Sequence, residues 1–352
     1  MSRKIVITGA TGFVGKKLCL ELFKRGYELK ILCRDPVSAR KSIGLPADFI
    51  RWDVARPLDA NHFEDAAGVI HLAGESVAGG RWTKDRKEKI LLSRTETTAA
   101  LCKAMQACQR PPRVLVGAGA IGIYGDAGDT LLTETSTSGT GFLADVCRFW
   151  ESAYEGFKGR CVVLRTGVVL GYGGALDKML LPFRLGAGGP LASGNQWMSW
   201  IHIDDLVKMY IYCLENDQCS GAINAVAPTP VRNTEFTKQL GRAVGMPAFF
   251  PVPKPALKII FGEMSSILLD SQRVSADKIR SLGFSFSHVT LPEAFGQLLS
   301  PAGHKGCHVF EAYQWVPRSQ TEVFSFFSKA ENLEVLTPPW LNFKITKKSD
   351  AK

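Results

Sequence analysis

Three glycines near the N-terminus have the spacing of a phosphate-binding turn. The segment Thr8–Gly15 reads Thr-Gly-Ala-Thr-Gly-Phe-Val-Gly and directly follows the apolar run Ile5–Ile7. Gly9 permits a tight turn, Gly12 lets the backbone approach a pyrophosphate, and Gly15 lets the next helix pack on the strand. The amides and the positive end of that helix would face the phosphates. We predict that this turn supplies six contact residues: Gly9, Thr11, Gly12, Phe13, Val14 and Gly15.

The end of the second apolar run distinguishes between two dinucleotides. An acidic residue here binds the ribose hydroxyls of NAD, whereas an arginine can pair with the 2′-phosphate of NADP. The chain reads Leu32-Cys33-Arg34-Asp35-Pro36, and the proline suggests that Asp35 lies in a turn. We therefore predict NADP(H) as the cofactor, with Cys33 and Arg34 among its contacts. NAD, bound through Asp35, is the alternative.

These residues require a parallel sheet to bring them together, and the chain alternates the patterns that build one. Apolar, β-branched runs occur at 5–7, 29–33, 49–52, 69–72, 114–116 and 161–164, and helical spacing occurs at 17–24, 82–109 and 142–157. Such alternation predicts an α/β fold, a Rossmann doubly wound parallel sheet with helices on both faces.

The pattern changes after Gly171, where glycine and proline become frequent and the segments shorten. We expect residues 1–299 to form the Rossmann core with a smaller C-terminal substrate lobe, mainly residues 171–299. Residues 300–306 are glycine-containing and read as a linker, which leaves residues 307–352 as a separate unit.

Composition sets limits on the environment and partners. The 352 residues include 45% hydrophobic residues, and the net charge of +10 suits a cofactor with several phosphates. The nine cysteines show no C-x-x-C spacing, so neither a disulfide framework nor a structural metal site is expected. With no signal peptide and no apolar run of about 20 residues, we expect a cytoplasmic protein without membrane spans.

Further segments resemble the extended short-chain dehydrogenases/reductases, and the resemblance covers residues 3 to about 299. It implies that Asp53 contacts adenine, that Leu72, Ala73 and Gly74 line the adenosine ribose, and that the stretch containing Val169 passes the nicotinamide. Trp200–Asp205 resembles the substrate-lobe signature of nucleotide-sugar epimerases. The best match is the atypical branch called the YfcH-like NAD-dependent epimerase/dehydratase family.

The sequence departs from this family at its catalytic positions. Such enzymes use a tyrosine as acid/base and a lysine four residues later that lowers its pKa. The alignment puts Leu143 and Cys147 at those positions, and Arg94 at the place of the usual asparagine. We predict that Arg94 contacts the cofactor, and that Tyr124 and Arg148 are the remaining catalytic candidates.

Another pair of residues imitates the missing catalytic motif. Tyr154 and Lys158 form the one Y-x-x-x-K in the chain, but they come just before the strand at residue 161. We interpret both as surface residues. Similarly, we expect His202 to pack in the lobe while Asp204 and Asp205 cap the following helix.

The C-terminal residues have a character of their own. Residues 308–316 alternate like a strand, residues 317–327 start a helix, and the segment resembles the opening of a START-like (SRPBCC) helix-grip domain. Forty-six residues cannot enclose a ligand cavity, so this fragment is predicted to be an incomplete domain. Phe326, Phe327 and Trp340 would be hydrophobic liabilities unless covered.

Two functions of different classes remain open. The first is an NADP(H)-dependent oxidoreductase or epimerase that acts on a small molecule, either a nucleotide sugar or a small carbonyl compound. The second is a redox or metabolite sensor that binds NADP(H) without turnover, as the altered catalytic positions would allow. The basic segment 81–87 is read as a solvated helix start, so no nucleic acid is expected, and the chain is predicted to be a monomer or a homodimer.

Overall fold

A computed structural model describes residues 3–299, 316–329 and 331–332 of the chain. Residues 3–43 and 47–299 belong to one compact unit. The strands of this unit, in chain order, are β1 (Lys4–Thr8), β2 (Glu28–Cys33), β3 (Asp48–Arg51), β4 (Gly68–His71), β5 (Val114–Ala120), β6 (Leu131–Leu132), β7 (Arg160–Thr166), β8 (Val168–Leu170), β9 (Trp197–Met198), β10 (Trp200–His202), β11 (Gly221–Ala225), β12 (Val231–Arg232) and β13 (Arg273–Val274).

Helices alternate with the strands through the first half of the chain. Those of the first unit are α1 (Phe13–Lys24), α2 (Pro36–Ile43), α3 (Lys84–Gln106), α4 (Phe142–Tyr154), α5 (Ala175–Arg184), α6 (Ile203–Glu215), α7 (Asn233–Val244), α8 (Lys254–Phe261), α9 (Ser266–Leu269), α10 (Asp277–Ser281) and α11 (Leu291–Leu299). Short 3₁₀ turns follow at Ala60–His62, Ile121–Tyr124 and Gly262–Ser265. No helix of the described residues is long and apolar enough to cross a bilayer.

Seven strands form one parallel sheet in the order β11-β7-β5-β4-β1-β2-β3. The order reverses between β1 and β4, and ligands of open α/β sheets bind at such a switch point, beyond the carboxyl ends of the strands. This arrangement confirms the predicted Rossmann fold. It brings the ends of β1, β2 and β4 to the same edge.

Burial on both faces explains why the strands are almost continuously apolar. Ile5, Val6 and Ile7 of β1 have no exposed surface, and all four residues of β4 are buried. One apolar cluster lies between the sheet and helices α3 and α4, and includes Phe63, Leu101 and Trp150. A second cluster fills the lobe around Trp200.

The lobe predicted from residue 171 onward is interleaved with the core. Helix α6 packs on α1, and β11 extends the main sheet beside β7. Residues 203–225 therefore belong to the Rossmann part of the fold, although they follow the first lobe segments in the chain.

The second unit contributes helix α12 (Gln320–Phe327). Ser319 and Glu322 form a reciprocal capping box at its start, which fixes where the helix begins. This confirms the helix predicted for 317–327. The strand predicted at 308–316 and Trp340 fall outside the described residues, except Val316, and the START-like resemblance stays a prediction.

Candidate functional site

The glycine turn after β1 has the geometry that its sequence predicts. Gly9 adopts a φ of +69°. A Cβ there would lie 2.6 Å from the carbonyl carbon of Leu72, and a Cβ on Gly15 would lie 2.3 Å from the carbonyl oxygen of Gly9. The amide of Gly12 donates to that same oxygen at 3.0 Å. Side chains at Gly9 and Gly15 would therefore break the turn.

The N-terminus of α1 is left available to an anion. Its N-cap residue Gly12 provides no side-chain hydrogen bond, and the first turn contains no acidic residue. Thr11 and Gly12 are exposed, and Phe13 and Val14 are half-buried. The Phe13 ring packs on the turn Gly171–Gly174. The backbone amides of the first turn of α1 have no partner within the helix, and this end of the helix is positive. Both features suit the binding of a dinucleotide's phosphates.

At the end of β2, Asp35 and Arg34 have different surroundings. One carboxylate oxygen of Asp35 accepts hydrogen bonds from the amides of Val37 at 3.0 Å and Ser38 at 3.2 Å, which caps α2. Arg34 is exposed, whereas the Cys33 thiol is half-buried, 3.7 Å from the carbonyl oxygen of Ile50. The turn predicted for Asp35 is confirmed, and its carboxylate is engaged by the backbone.

A buried polar network, which sequence reasoning missed, lies beneath the turn. The Thr8 hydroxyl is 2.6 Å from Nδ1 of His71, and Nε2 of His71 is 3.0 Å from the Thr98 hydroxyl. The amide of Ala73 donates to Thr8 at 3.3 Å, and the Trp150 indole donates to Thr98 at 3.1 Å. Burial lowers the pKa of His71 to about 3, so the ring is neutral. The network fixes the segment after β4 against the glycine turn.

Arg94 lies across the segment that follows β4. It donates to the carbonyl oxygen of Glu75 at 2.9 Å, and its guanidinium carbon is 4.9 Å from the centre of the Trp150 ring. A Cβ on Gly74 would lie 3.2 Å from that guanidinium carbon. Burial lowers the pKa of Arg94, but an arginine stays charged at neutral pH. The Arg94 guanidinium therefore packs against the backbone at Gly74. The contact between Arg94 and the cofactor stays a prediction.

A groove runs beside the predicted adenosine contacts. Asp53 is exposed and accepts a hydrogen bond from the amide of Ala55 at 3.2 Å. Its neighbour Val54 lines a cavity of about 570 Å³ together with Glu75 and one face of α3. The α3 residues that line this groove are Asp85, Glu88, Lys89, Leu92, Ser93, Glu96 and Thr97.

The positions of the missing acid/base pair form an apolar wall. Leu143 and Cys147 lie on the same side of α4 and face the 3₁₀ turn after β5. A Cβ on Gly122 in that turn would lie 3.5 Å from the Leu143 Cβ and 3.6 Å from the Cys147 sulfur. Burial raises the pKa of the Cys147 thiol to about 12, so it is protonated at neutral pH. Val169 is half-buried in β8, which pairs with β10.

Tyr124 is not placed to act as an acid/base, which corrects the prediction. Its ring is 2% exposed. The hydroxyl donates to Asn224 at 2.6 Å and accepts from Arg165 at 2.9 Å. Burial raises the pKa of Tyr124. Arg165 also forms a bidentate ion pair with Glu151, both hydrogen bonds being 2.8 Å, so Tyr124 belongs to a structural network.

The other candidates on α4 also differ from expectation. Arg148 is exposed and pairs with Asp145 one turn earlier at 2.8 Å, so no contact supports its catalytic role. Lys158 is exposed as predicted, but the prediction for Tyr154 is wrong: its ring is 2% exposed and its hydroxyl donates to the carbonyl oxygen of Ala118 at 2.9 Å. Tyr154 faces the sheet because the apolar side of α4 runs through it.

His202 packs inside the lobe as predicted, and it also caps α6. Its Nδ1 accepts from the amide of Asp204 at 3.1 Å, and its ring stacks on His288 at 3.8 Å. The expectation that both aspartates cap α6 is wrong. Asp204 pairs with Lys17 of α1, and Asp205 accepts the amides of Ser287 and His288 at 2.7 and 2.9 Å. No cluster of three or more metal-binding side chains occurs among the described residues.

Comparisons with known proteins agree with this geometry. The profile of the "NAD dependent epimerase/dehydratase family" matches residues 5–225, and that of a "Domain of unknown function (DUF1731)" matches residues 252–298. The chain is 37% identical over 302 residues to "Epimerase family protein SDR39U1 homolog, chloroplastic" of Arabidopsis thaliana, covering 84% of this chain and 86% of that protein. It is 35% identical over 300 residues to "Epimerase family protein YfhF" of Bacillus subtilis, covering 84% and 98%.

A solved structure is similar over most of the chain. Human epimerase family protein SDR39U1 (isoform 2), crystallised with NADPH, superimposes with a TM-score of 0.76 at 33% identity, covering 84% of this chain and 99% of that one. The chain therefore belongs to the NAD dependent epimerase/dehydratase family, as an atypical extended short-chain dehydrogenase/reductase.

Proposed function

We propose that this protein binds NADP(H) and is an oxidoreductase that acts on a small carbonyl compound or the matching alcohol. The choice of NADP(H) over NAD(H) rests on the hydrogen bonds that the Asp35 carboxylate accepts. Because its carboxylate caps α2, it is engaged away from the ribose hydroxyls that an NAD site would bind, while Arg34 stays exposed at the same strand end. The solved human relative with NADPH supports this choice.

Each part of the cofactor has a matching part of the chain. The turn Gly9–Gly15 and the start of α1 would hold the pyrophosphate, and Arg34 the 2′-phosphate. Asp53 and the segment Leu72–Gly74 would line the adenosine. When bound, the nicotinamide supplies or accepts a hydride.

The chain's own contribution at the reacting end is positioning and shielding. Leu143 and Cys147 place apolar, uncharged surface where related enzymes place a proton relay. Leu143 and Cys147 can exclude water on the side of the hydride path that they cover, but they cannot move a proton at neutral pH. We propose that the proton exchanged with the substrate oxygen comes from solvent on the side that these two residues leave open.

The cofactor proposal is tested by titrating the protein with NADPH and with NADH. Losing a charge-assisted pair costs about 1.5–3 kcal/mol, so Arg34→Ala should weaken NADPH binding by roughly 10- to 100-fold and leave NADH binding nearly unchanged. Arg110→Ala is the matched control, since Arg110 is exposed and pairs with Asp65 away from the glycine turn. Equal affinities of the wild type for both dinucleotides would contradict the proposal.

A non-catalytic NADP(H) sensor is the second candidate. The apolar wall formed by Leu143 and Cys147 favours it, because a sensor needs no proton relay. Mixing the NADPH complex with a panel of aldehydes and ketones, and following NADPH absorbance over hours, separates the two functions. Saturable NADPH binding without oxidation by any compound would favour the sensor. The cytoplasmic location stays a prediction.

A further inference from the structure

Two cysteines lie at the junction between α6 and β11. Cys213 is in the last turn of α6, Cys219 is in the turn that leads to β11, and both are buried and outside any disulfide. Arg160 of β7 holds them from one side. A single nitrogen of its guanidinium donates to the carbonyl oxygen of Cys213 at 2.7 Å and to that of Cys219 at 3.2 Å. Because one nitrogen binds both oxygens, the backbones at the two cysteines come together at this point.

The two thiols also contact each other. The Cys213 thiol donates a hydrogen bond to the sulfur of Cys219, and this bond lowers the pKa of Cys219 while it raises the pKa of Cys213. The charges of Arg160 and Lys278 add to the lowering at Cys219, whereas burial opposes it. Lys278 is fixed beside the turn, since its amine donates to the carbonyl oxygen of Ser220 at 3.1 Å. A sulfur next to cations is the setting in which a cysteine becomes a thiolate.

Cys219 is buried, but the residues next to it in the turn face solvent. Gln218 and Ser220 on either side of it are exposed. The side chain of Asp217 is 96% exposed, so its carboxylate, which pairs with Arg160 at 3.1 Å, is largely solvated. A small shift of this turn would therefore uncover the Cys219 sulfur to a solute about the size of water, without opening the apolar core.

A second pair of buried cysteines provides the contrast. Cys102 of α3 belongs to the apolar cluster beside the sheet, and Cys161 of β7 packs against that cluster. Burial raises the pKa of both thiols to about 12, and for Cys161 the neighbouring Cys102 adds to this rise. Thiols that stay protonated in apolar surroundings react poorly with oxidants. The two pairs thus differ in the charge around them and in the chain that covers them.

We propose that Cys213 and Cys219 are a modification site at which a hydroperoxide forms a reversible disulfide. The Cys219 thiolate attacks one peroxide oxygen, the O–O bond breaks, and the leaving oxygen takes up the proton that Cys219 released. The resulting sulfenic acid condenses with the Cys213 thiol: the S–S bond forms, the S–O bond breaks, and the hydroxyl leaves with the Cys213 proton as water. The two sulfurs together lose the two electrons that reduce the peroxide. This site does not depend on whether the protein binds NADP(H).

The test is peptide mapping of the full chain after treatment with hydrogen peroxide. Trypsin leaves Cys213 and Cys219 in one peptide, residues 209–232, whereas Cys102 and Cys161 fall in separate peptides. The reduced, native protein is treated with peroxide, alkylated with iodoacetamide in urea, and digested without reductant. We expect peptide 209–232 to lose two hydrogens in mass and to carry no alkyl group, and dithiothreitol to restore both thiols. Cys102 and Cys161, the matched control, should be alkylated throughout.

Single variants assign the role of each sulfur. In Cys213→Ser, a hydroxyl can still donate to the Cys219 sulfur, so oxidation should stop at a sulfenic acid on Cys219 that dimedone labels. In Cys219→Ser, Cys213 should stay a thiol and take up the alkyl group. In the wild type, the rate of disulfide formation should be half-maximal below pH about 8.5, the pKa of an ordinary cysteine.

The mapping of the wild type decides the inference even if a variant fails to fold. The inference is wrong if peptide 209–232 keeps two alkylatable thiols under conditions that oxidise glutathione completely. It is also wrong if Cys102 and Cys161 are oxidised as fast as the pair at the end of α6, because charge and cover would then play no part. Equal labelling of Cys213 and Cys219 by dimedone in the two folded variants would overturn the assignment of Cys219 as the attacking thiolate.

Discussion

Replacing Gly15 by alanine tests whether the turn depends on close backbone contact. In an ordinary helix interior, glycine to alanine stabilises the fold by about 0.5–1 kcal/mol. At Gly15 the new Cβ would lie 2.3 Å from the carbonyl oxygen of Gly9 and 2.7 Å from the Cα of Ala10. Both are backbone atoms, so the clash cannot be relieved by turning a side chain. Overpacking of this kind costs about 1–3 kcal/mol or more.

The chain offers a matched control for this substitution. Gly296 is also inside a helix, α11, but a Cβ there would meet no atom within 4 Å. Gly296→Ala should therefore raise the free energy of unfolding, while Gly15→Ala should lower it. The expected gap between the two variants is about 2–4 kcal/mol, combining the propensity gain with the clash.

The assay is urea unfolding followed by circular dichroism, combined with NADPH titration. Gly15→Ala should weaken NADPH binding because α1 must move away from β1, and Gly296→Ala should leave it unchanged. If both variants are equally stabilised and bind NADPH like the wild type, the close contact between α1 and the turn does not hold in solution.

Three further outcomes follow from the buried groups and the domain boundary. Burial lowers the pKa of His71 in the folded state below its unfolded value. The free energy of unfolding should therefore fall as the pH drops from about 6.5 to 3, by up to about 1.4 kcal/mol per pH unit. If the free energy of unfolding of a His71→Gln variant depends on pH as steeply as that of the wild type, this expectation is wrong. Glu151→Gln leaves Arg165 buried without its ion pair and should cost about 3 kcal/mol in urea unfolding, whereas Glu155→Gln on the surface should change less than about 0.5 kcal/mol. Ending the chain after Leu299 should preserve NADPH affinity and Tm, and a Tm several degrees lower would place the tail within the fold.

The strands that the sequence revealed were those with continuous runs of large apolar residues. Runs such as Ile5–Ile7 are rich in β-branched residues, and the glycine turn follows directly from one of them. Strand β11 (Gly221–Ala225) was missed because its sequence, Gly-Ala-Ile-Asn-Ala, has a single β-branched residue. Its place in the sheet comes from pairing with β7, which is a long-range contact.

The site was predictable where backbone conformation matters and less so where side chains meet across the fold. Gly9 and Asp35 are constrained by local geometry, and both predictions hold. The roles of Tyr124 and Tyr154 depend on partners 100 and 36 residues away, Asn224 and Ala118, which no local pattern contains. Helical spacing could have identified Tyr154 as buried, because it lies four residues after Trp150 on the apolar side of α4.

The late position of β11 has a consequence for synthesis of the chain. Strand β7 ends at Thr166, but the strand that covers its outer edge is complete only at Ala225, after α5 and α6 have been made. While the ribosome adds those residues, the backbone amides and carbonyls along β7 have no neighbour on that side. Such an edge pairs readily with other chains. The nascent chain therefore carries an unpaired strand edge in this interval, and a fragment that stops near Leu170 would keep that edge unpaired.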